Sequence, residues 1–364
     1  MISVVILGKG TVGRSFIRQI ADIRESMLQR GVDVRVHGIV GKAASAFHQE
    51  GMSEEVLRNI ADGRGEFSLR EEGIGVDDIT QAIAQINAEH HIIVDLTAEP
   101  NIAAHTLWIR KGWHVVTANK HPLVASFAEY DALMTDARLR GANRMYRYST
   151  TVGAGLPIIS TLQSMVATGD EVVEIRGAVS GTLGFIFSAC EGGMTLAEAV
   201  REAKARGYSE PDPREDLSGN DVARKALIMA RILGKRIELD DIVIESLVPQ
   251  GLERGTVDDF FAALPTASRH IDDRFRTLAA QGRTLRYLLS ITSESVRVGV
   301  EEVARESDFG RLGGPENMFV VRSRHYANVP LIIRGPGAGA EVTAGRVLAD
   351  VLHIAMHSPS LVTL

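Results

Sequence analysis

A lysine and an aspartate spaced four residues apart are the first candidates for chemistry in this sequence. Asp221 and Lys225 follow a stretch rich in carboxylates and prolines at residues 210–216. Residues four apart share one face of a helix, so the pair is predicted to lie side by side. The apolar neighbours Val222 and Ala226 indicate that this face is at least partly buried. A lysine beside a carboxylate there is either a structural ion pair or a device that handles protons.

The helix that carries the pair must be positioned by the segment before it. The prolines at 211 and 213 predict a loop, and Ser218 or Asn220 is a suitable cap for the helix that follows. Whether the pair does chemistry depends on what the rest of the chain places beside it.

A glycine-rich turn near the amino terminus predicts a dinucleotide site. The apolar run at residues 3–7 is typical of a buried parallel strand and leads directly into a G-x-G-x-x-G turn and a helix. The first glycine makes the turn, the second lets the backbone approach a pyrophosphate, and the third allows close helix–strand packing. The helix amino terminus then faces the negative charge. The residues expected to bind the cofactor are Gly8, Gly10, Thr11, Val12 and Gly13.

The end of the second predicted strand bears on the choice of cofactor. Residues 34–40 are followed by Gly41 and Lys42. An NAD site usually has an acidic residue there to hold the ribose hydroxyls, and none is present. Lys42 could face a 2′-phosphate instead, which favours NADP and leaves NAD as the alternative. Lys42 could equally be a solvated surface lysine.

Two further strands complete the first predicted sheet. Residues 92–97 and 114–116 are apolar and lie on either side of a helix at 101–111. This alternation predicts a doubly wound parallel sheet, in which cofactors lie beyond the carboxyl ends of the strands. Thr97 is therefore expected near the nicotinamide. Lys120, just past the next strand, is either a solvated loop lysine or a charge at the substrate.

The second half of the chain predicts a different sheet. Strands at 285–292, 295–303 and 318–323 follow one another through short turns, which is typical of a mixed or antiparallel sheet with helices on one face. Such a sheet is a candidate for self-association. A second glycine-rich turn at 335–339, which includes Gly339, opens a final helix and is expected to return the carboxyl end of the chain to the cofactor cleft. The predicted domains are 1–146, 147–334 and a returning segment at 335–364.

Composition excludes several classes of function. The 364 residues suit two domains, and a net charge of −6 without long charged runs argues against nucleic-acid and membrane-surface partners. The one cysteine, Cys190, excludes an intramolecular disulfide and fits a reducing cytosol. No basic leader with a cleavable apolar segment opens the sequence, so a cytoplasmic protein is expected. His353 and His357 have the spacing of zinc ligands but no third ligand, which favours an ordinary helix face.

Four segments resemble one family of enzymes. The run GYSEPDPREDLSGNDVARK at 207–225 closely resembles the signature of homoserine dehydrogenase. The segments TANKHP at 117–122, TVGAGLP at 151–157 and GPGAG at 335–339 match the same family in the same order. The match is nearest to the dehydrogenase half of bifunctional aspartokinase enzymes. We expect no kinase segment upstream and no feedback through a carboxyl-terminal regulatory domain.

The resemblance implies a fold, a reaction and a set of site residues. The fold is α/β, with a Rossmann-type doubly wound parallel sheet and an α+β domain for substrate binding and dimerisation. The reaction is reduction of aspartate 4-semialdehyde to homoserine, towards threonine, methionine and isoleucine. Lys225 would donate the proton, while Glu210 and Asp221 would hold the substrate ammonium with support from Asp216. Lys120 would lie where cofactor and substrate meet. Gly207 and Gly339 join the cofactor residues.

The resemblance also implies a monovalent cation, Na⁺ or K⁺, and a homodimer or a dimer of dimers. The cation would bind to the backbone carbonyls of Ser149, Val152, Ala154 and Leu156, although relatives carry an acidic residue where this chain has Ser149. Two other functions stay open from the residues alone. One is a reductase of another small amino-acid or keto-acid aldehyde, and the other is an NADP-binding regulatory protein.

Overall fold

The computed structural model describes residues 1–42, 44–64, 75–139 and 145–357. The chain divides into two compact units. The first comprises Met1–Gly155 with Gly339–Leu364, and the second comprises Leu156–Ala338. No described helix is both long and apolar enough to span a membrane.

Alternating strands and helices build the first unit. In chain order they are β1 (Ile2–Leu7), α1 (Thr11–Gln29), β2 (Val34–Val40), β3 (Ser45–Phe47), α2 (Glu54–Ala61), α3 (Val76–Ala84), β4 (His90–Asp95), α4 (Ile102–Lys111), β5 (His114–Thr117), α5 (His121–Val124), α6 (Phe127–Leu139) and β6 (Tyr146–Arg147). Apolar β-branched residues dominate β1, every residue of which is buried, as expected for a central strand covered on both faces.

The first sheet has six strands in the order β3-β2-β1-β4-β5-β6. All described neighbours are parallel except β3, which pairs antiparallel with β2. This confirms the predicted doubly wound sheet. The order reverses between β1 and β4, so the loops that follow these two strands lie side by side at one edge. The glycine-rich turn after β1 and the loop with Thr97 after β4 therefore become neighbours.

The second unit contains the helices that carry the acidic segment. Its elements are α7 (Ile158–Ala167), β7 (Val172–Ala178), α8 (Gly181–Glu191), α9 (Leu196–Ala205), α10 (Pro213–Leu217), α11 (Asn220–Ile232), β8 (Val243–Ile244), α12 (Val257–Ala267), α13 (Arg269–Ala279), β9 (Arg283–Thr292), β10 (Val296–Ala304), β11 (Glu316–Ser323) and β12 (Leu331–Pro336). The last helix, α14 (Ala340–His357), lies in the first unit and packs on α1.

The second sheet also has six strands, in the order β12-β11-β7-β9-β10-β8. Its pairs are antiparallel except for β8 beside β10, which confirms the predicted mixed sheet. Helices α8, α11 and α13 contact the central strand β9. On the other face, Phe309 and Leu312 pack against Leu288 and Met318.

The start of α11 differs from the prediction. The segment expected to be a loop contains the short helix α10, which is capped by the Asp212 carboxylate through the backbone N–H of Arg214. Asn220 does not cap α11, and of the described N–H groups Ser218 Oγ accepts only from the first of the helix, that of Asn220, at 3.2 Å. Gly219 occupies the cap position with a φ of +76°, and a Cβ added there would lie 2.1 Å from the Tyr287 hydroxyl. The turn between the two helices needs a glycine in the left-handed region, so the expected side-chain cap was wrong.

Candidate active site

Lys225 and Asp221 form the centre of the acidic site. Lys225 Nζ lies 2.7 Å from Asp221 Oδ2 on the same face of α11. It also donates to the carbonyl of Val179, just past the end of β7, at 2.7 Å. The lysine side chain is 12% exposed and the aspartate 48%. A shielded ammonium is thus held between a strand end and a carboxylate that faces outwards.

Asp216 joins this pair, whereas the Glu210 side chain does not. The half-buried Asp216 accepts a 2.8 Å hydrogen bond from the backbone N–H of Glu210, and the nearby Thr182 hydroxyl donates to the Tyr208 carbonyl at 2.6 Å. The Glu210 N–H and the Thr182 hydroxyl are the two polar neighbours that favour the charged carboxylate. Burial raises the pKa of Asp216 and the nearby Asp221 carboxylate adds to this, while those two neighbours and Lys225 act the other way. Glu210 itself is exposed. Two carboxylates and a lysine therefore lie together, with a third carboxylate at the rim.

Asn317 is a neighbour of this site that sequence reasoning missed. It is fully buried on β11, and its Nδ2 lies 3.4 Å from the same Val179 carbonyl that accepts from Lys225. A Cβ on Gly337 would lie 2.0 Å from the Asn317 side chain, so this glycine leaves room for the amide. Asn317 is distant in sequence from Lys225, and no local pattern indicates its role, whereas Gly337 belongs to the predicted glycine-rich turn at 335–339.

The glycine-rich turn has the geometry of a phosphate site. Gly8 has a φ of +95°, and an added Cβ would lie 2.9 Å from the Leu96 backbone, while one on Gly13 would lie 2.2 Å from the carbonyl of Gly8. Gly10 faces open space, since nothing lies within 4 Å of its Cβ position. It starts α1 without a side-chain cap, and the first turn has no acidic residue. The helix amino terminus is therefore free to attract an anion.

A pocket of about 400 Å³ opens at this turn. Its lining combines backbone, hydroxyl and guanidinium groups, from Lys9, Gly10, Thr11, Arg14, Ser15, Arg18 and Ala61. Positive charge and unpaired helix N–H groups suit a pyrophosphate, so the residues present fit a dinucleotide. Val12 lies within the first turn of α1, behind Gly10 and Thr11.

Two lysines lie at the end of β2. The Lys42 side chain is 94% exposed, with Nζ 3.9 Å from Glu99 Oε1. Lys9, which the sequence did not single out, lies across Gly41, since a Cβ there would be 2.8 Å from Lys9 Cε. No carboxylate occupies residues 40–42. The end of this strand is therefore basic.

Thr97 and Lys120 lie on neighbouring loops of the first unit. Thr97 follows β4 and donates its hydroxyl to Asp95 Oδ1 at 2.7 Å. Lys120 is partly buried and begins α5, where its carbonyl accepts from the N–H of Leu123. Both residues thus lie past the carboxyl ends of parallel strands, as predicted.

The turn at 149–155 has a backbone suited to a cation. Gly153 and Ala154 have φ values of +76° and +53°, and Ala154 is the one non-glycine residue with positive φ in the described chain. Within the same described ranges, no hydrogen bond ends on the carbonyls of Val152 or Ala154. Such strain is concentrated at functional sites, and free carbonyls suit Na⁺ or K⁺. Leu156 begins the second unit.

Asp350 fixes the start of this turn. The buried carboxylate accepts from Ser149 Oγ at 2.9 Å and from the Ser149 N–H at 3.2 Å. It also pairs with Arg147 at 3.1 Å. Ser149 is therefore held by a carboxylate from α14.

Gly207 and Gly339, two further glycines predicted to contact the cofactor, lie at opposite ends of their helices. Gly207 has a φ of +70° just past α9 and donates its N–H to Lys204, which is how glycine commonly ends a helix. Gly339 has a φ of +135° and precedes α14, where its carbonyl accepts from the Thr343 hydroxyl at 2.8 Å. Gly207 thus ends a helix, and Gly339 opens one.

Cys190 and the histidine pair show no chemistry of their own. Cys190 is 4% exposed, and burial together with Asp272 and Glu198 raises its pKa to about 12, so a thiolate nucleophile is disfavoured. The rings of His353 and His357 stack with centroids 4.4 Å apart. Among the described residues, no three His, Cys, Asp or Glu side chains are arranged to hold a metal ion.

Comparison with known families decides where the chain belongs. Residues 157–352 match the family model for homoserine dehydrogenase, and residues 8–147 match the model for the NAD-binding domain of homoserine dehydrogenase. The chain belongs to the homoserine dehydrogenase family. That family consists of NAD(P)-dependent oxidoreductases that act on a CH–OH group.

Individual relatives agree with this family. The chain is 36% identical over 365 residues to bifunctional aspartokinase/homoserine dehydrogenase 1 of Zea mays, covering 98% of this chain and 38% of the relative. It spans about two-fifths of the length of the curated relatives it matches. A Candida auris protein of unknown function is 30% identical with a TM-score of 0.87, over 98% of both chains. A hyperthermophilic archaeal homoserine dehydrogenase in complex with NADPH shares the fold at 23% identity, with a TM-score of 0.74 over 99% of both chains.

Proposed function

We propose that the chain is a homoserine dehydrogenase, which reversibly reduces L-aspartate 4-semialdehyde to L-homoserine with NAD(P)H. The observation that carries this proposal is the shielded ammonium of Lys225, held 2.7 Å from both Asp221 and the Val179 carbonyl. A carbonyl reduction needs a proton donor beside the developing alkoxide, and a lysine held in this way supplies one.

The acidic residues bind the amino group of the substrate. Asp221 is 48% exposed while pairing with Lys225, so its carboxylate can also accept from a substrate ammonium. Glu210 at the rim joins it, and Asp216 supports both through the Glu210 N–H. Lys120 provides the opposite charge, to the substrate carboxylate or the polarised aldehyde.

The first unit binds the cofactor, with NADPH favoured over NADH. The uncapped start of α1 and its basic pocket take the pyrophosphate, and the lysine pair at the end of β2 suits a 2′-phosphate. Thr97 and Gly339 would hold the nicotinamide end of the cofactor, and Gly207 would complete the cofactor set. When bound, the reduced cofactor supplies the hydride for the aldehyde carbon.

The proton comes from Lys225 Nζ and goes to the substrate oxygen. Asp221 and the Val179 carbonyl orient the ammonium for proton transfer to the substrate. In the reverse direction the same nitrogen accepts the proton from the homoserine hydroxyl. Lys225 is therefore the catalytic residue, and Asp221 both orients it and binds substrate.

The family also suggests the location, oligomeric state and pathway of the enzyme. We propose a cytoplasmic homodimer or dimer of dimers, formed through the second unit, in the synthesis of threonine, methionine and isoleucine. A monovalent cation at the carbonyls of residues 149, 152, 154 and 156 would order this turn of the chain. Residues 1–146 would form the dinucleotide domain, 147–334 the substrate and dimerisation domain, and 335–364 the returning segment.

The direct test is homoserine-dependent reduction of NADP and, separately, of NAD, followed by the absorbance of the reduced nicotinamide. Turnover with homoserine, and a preference for aspartate semialdehyde over other short aldehydes in the reverse direction, is expected. Preference for another aldehyde would indicate a different reductase. Dinucleotide binding without hydride transfer to any of these substrates would indicate a regulatory protein and overturn the proposal.

A further inference from the structure

A buried carboxylate lies at the centre of the edge where the cofactor loops meet. Asp95 is the last residue of β4 and has no exposed surface. Its Oδ1 accepts from the Thr97 N–H at 2.9 Å and from the Thr97 hydroxyl at 2.7 Å. Its Oδ2 accepts from His105 Nε2 and from Asn119 Nδ2, each at 3.0 Å. Four hydrogen bonds thus converge on one side chain.

These partners belong to two different loops. Thr97 follows β4, whereas Asn119 follows β5 and directly precedes Lys120. The Asn119 side chain also donates to the carbonyl of Glu99 at 2.6 Å and accepts from the N–H of His121 at 3.0 Å. Lys120 is therefore fixed from both sides by an amide that Asp95 holds. One carboxylate sets the position of Thr97 relative to Lys120.

The hydrogen bonds to Asp95 favour the charged form of its carboxylate. Burial alone would raise the pKa of Asp95, but the hydrogen bond and charge of His105 and the bonds from Thr97 more than offset it and lower the pKa. His105 Nδ1 lies 2.8 Å from the Tyr146 hydroxyl, whose pKa is raised well above its usual value by burial and by Asp95. The phenol stays protonated, so the network adds no second negative charge.

A buried charge of this kind is costly, and packing alone does not require it. We propose that Asp95 is a positioning residue for the reaction, which holds the nicotinamide-side loop at Thr97 and the substrate-side loop at Lys120 in one fixed geometry. This inference rests on the proposed function, because it assigns Thr97 and Lys120 to the cofactor and the substrate. Asp95 acts through these two loops and does not touch the reacting atoms.

The substitution Asp95→Asn tests the role with little change in volume. An amide oxygen can replace one carboxylate oxygen only, so its NH₂ group must face either the Thr97 donors or those of His105 and Asn119. We expect kcat to fall about 10–100-fold, because small misplacements of reacting groups have effects of that size. We expect the Kd for NADPH to change much less, and hydrogen exchange to accelerate in both loops, at 97–101 and at 118–124.

The matched control is Thr80→Val. It removes the buried 2.9 Å hydrogen bond from Trp108 Nε1 in the same unit, a bond that involves no residue of either loop. Both variants should lower the Tm, but this one should keep kcat and the exchange of the two loops. Faster exchange in both loops of Asp95→Asn would support the positioning role of Asp95. A wild-type protein that does not oxidise homoserine would overturn the proposed function but would leave this exchange result standing. The positioning role of Asp95 would be overturned by any of three results for Asp95→Asn. These are unchanged exchange, faster exchange in one loop only, and an unchanged kcat in an active enzyme.

Discussion

Lys225 and Asp221 lie 2.7 Å apart on one face of α11, yet their exposures differ fourfold, at 12% and 48%. An ordinary ion pair at this helical spacing contributes about 0.3–0.5 kcal/mol and does not require one partner to be shielded. Here the lysine is turned inwards onto a strand-end carbonyl and the aspartate outwards. That arrangement suits a proton donor beside a ligand-binding carboxylate better than it suits a surface ion pair.

Lys225→Arg is the sharpest test of the proton donor. Arginine keeps the positive charge beside Asp221 but does not release its proton in proteins. We expect kcat to fall about 10²–10⁴-fold, the range for loss of a positioned acid, with little change in the Kd for NADPH. Lys235→Arg, at a lysine that also donates to a backbone carbonyl in the second unit, is the control and should retain turnover. Retained turnover in Lys225→Arg would remove the assignment.

The glycines of the first turn should separate folding from binding. A Cβ at Gly13 meets the Gly8 carbonyl at 2.2 Å, so Gly13→Ala should lower the free energy of unfolding by about 1–3 kcal/mol. Gly10 has open space at its Cβ position, so Gly10→Ala should keep the Tm and weaken NADPH binding severalfold. Thermal unfolding and fluorescence titration measure the two effects. Equal NADPH affinity in Gly10→Ala and wild type would argue against a pyrophosphate at this turn.

Local patterns predicted the strand–turn–helix units and the positions of the charged pair. Strand β2 has the predicted bounds of 34–40, and the glycine-rich turn follows β1 as expected. These features depend on residues close in sequence, where periodicity and glycine spacing report directly on backbone conformation. The predicted pairing of Asp221 with Lys225 follows for the same reason, since residues four apart always meet on a helix.

The features that were missed depend on contacts between distant residues. Tyr287 leaves no room for a side chain at position 219, and Asn317 on β11 contacts the Val179 carbonyl just past the end of the neighbouring strand β7. In the sequence, Asp95 only follows three apolar residues. Its role becomes visible in the structure, where the neighbouring loop brings the Asn119 amide to its carboxylate. A single sequence carries no signal for such contacts.

Lys42 is predicted to discriminate between the two dinucleotides. Its exposed ammonium at the end of β2 can pair with a 2′-phosphate, and exposed charge pairs contribute up to about 1 kcal/mol. Lys42→Ala should therefore raise the KM for NADP about fivefold and leave the KM for NAD unchanged. Lys111→Ala, at an exposed lysine elsewhere in the same unit, should change neither. Equal effects on both cofactors would assign Lys42 to general surface charge.

Asp350 is predicted to hold the cation turn. Its removal leaves Arg147 and the Ser149 N–H without their acceptor, and breaking a buried pair costs about 3–5 kcal/mol. We expect Asp350→Ala to lower the Tm and to abolish any rise in Tm that K⁺ or Na⁺ gives over a bulky organic cation. Asp350→Asn, which still accepts a hydrogen bond from Ser149, should keep part of the thermal stability and part of the cation effect on Tm. A cation effect that is equal in all three proteins would place the cation elsewhere.

His91 predicts how stability depends on pH. Burial, followed by the nearby charges of His37 and His90, lowers the pKa of His91 from 6.5 to about 4, and its Nδ1 is buried without a hydrogen-bond partner. Between these two pH values the unfolded chain binds a proton that the folded chain does not. The free energy of unfolding should therefore decrease as pH falls from 6.5 towards 4, by up to roughly 3 kcal/mol from this group. Burial also lowers the pKa of His37, which acts in the same direction.

Urea unfolding of His91→Gln at several pH values between 7 and 4.5 measures this contribution. The variant cannot titrate, so its stability should fall less steeply on acidification than that of the wild type. The residual slope should reflect His37 and the carboxylates with lowered pKa values, among them Asp95. His270→Gln, at an exposed histidine on α13, should keep the wild-type slope. If His91→Gln also keeps that slope, the buried imidazole is not the group that couples folding to pH.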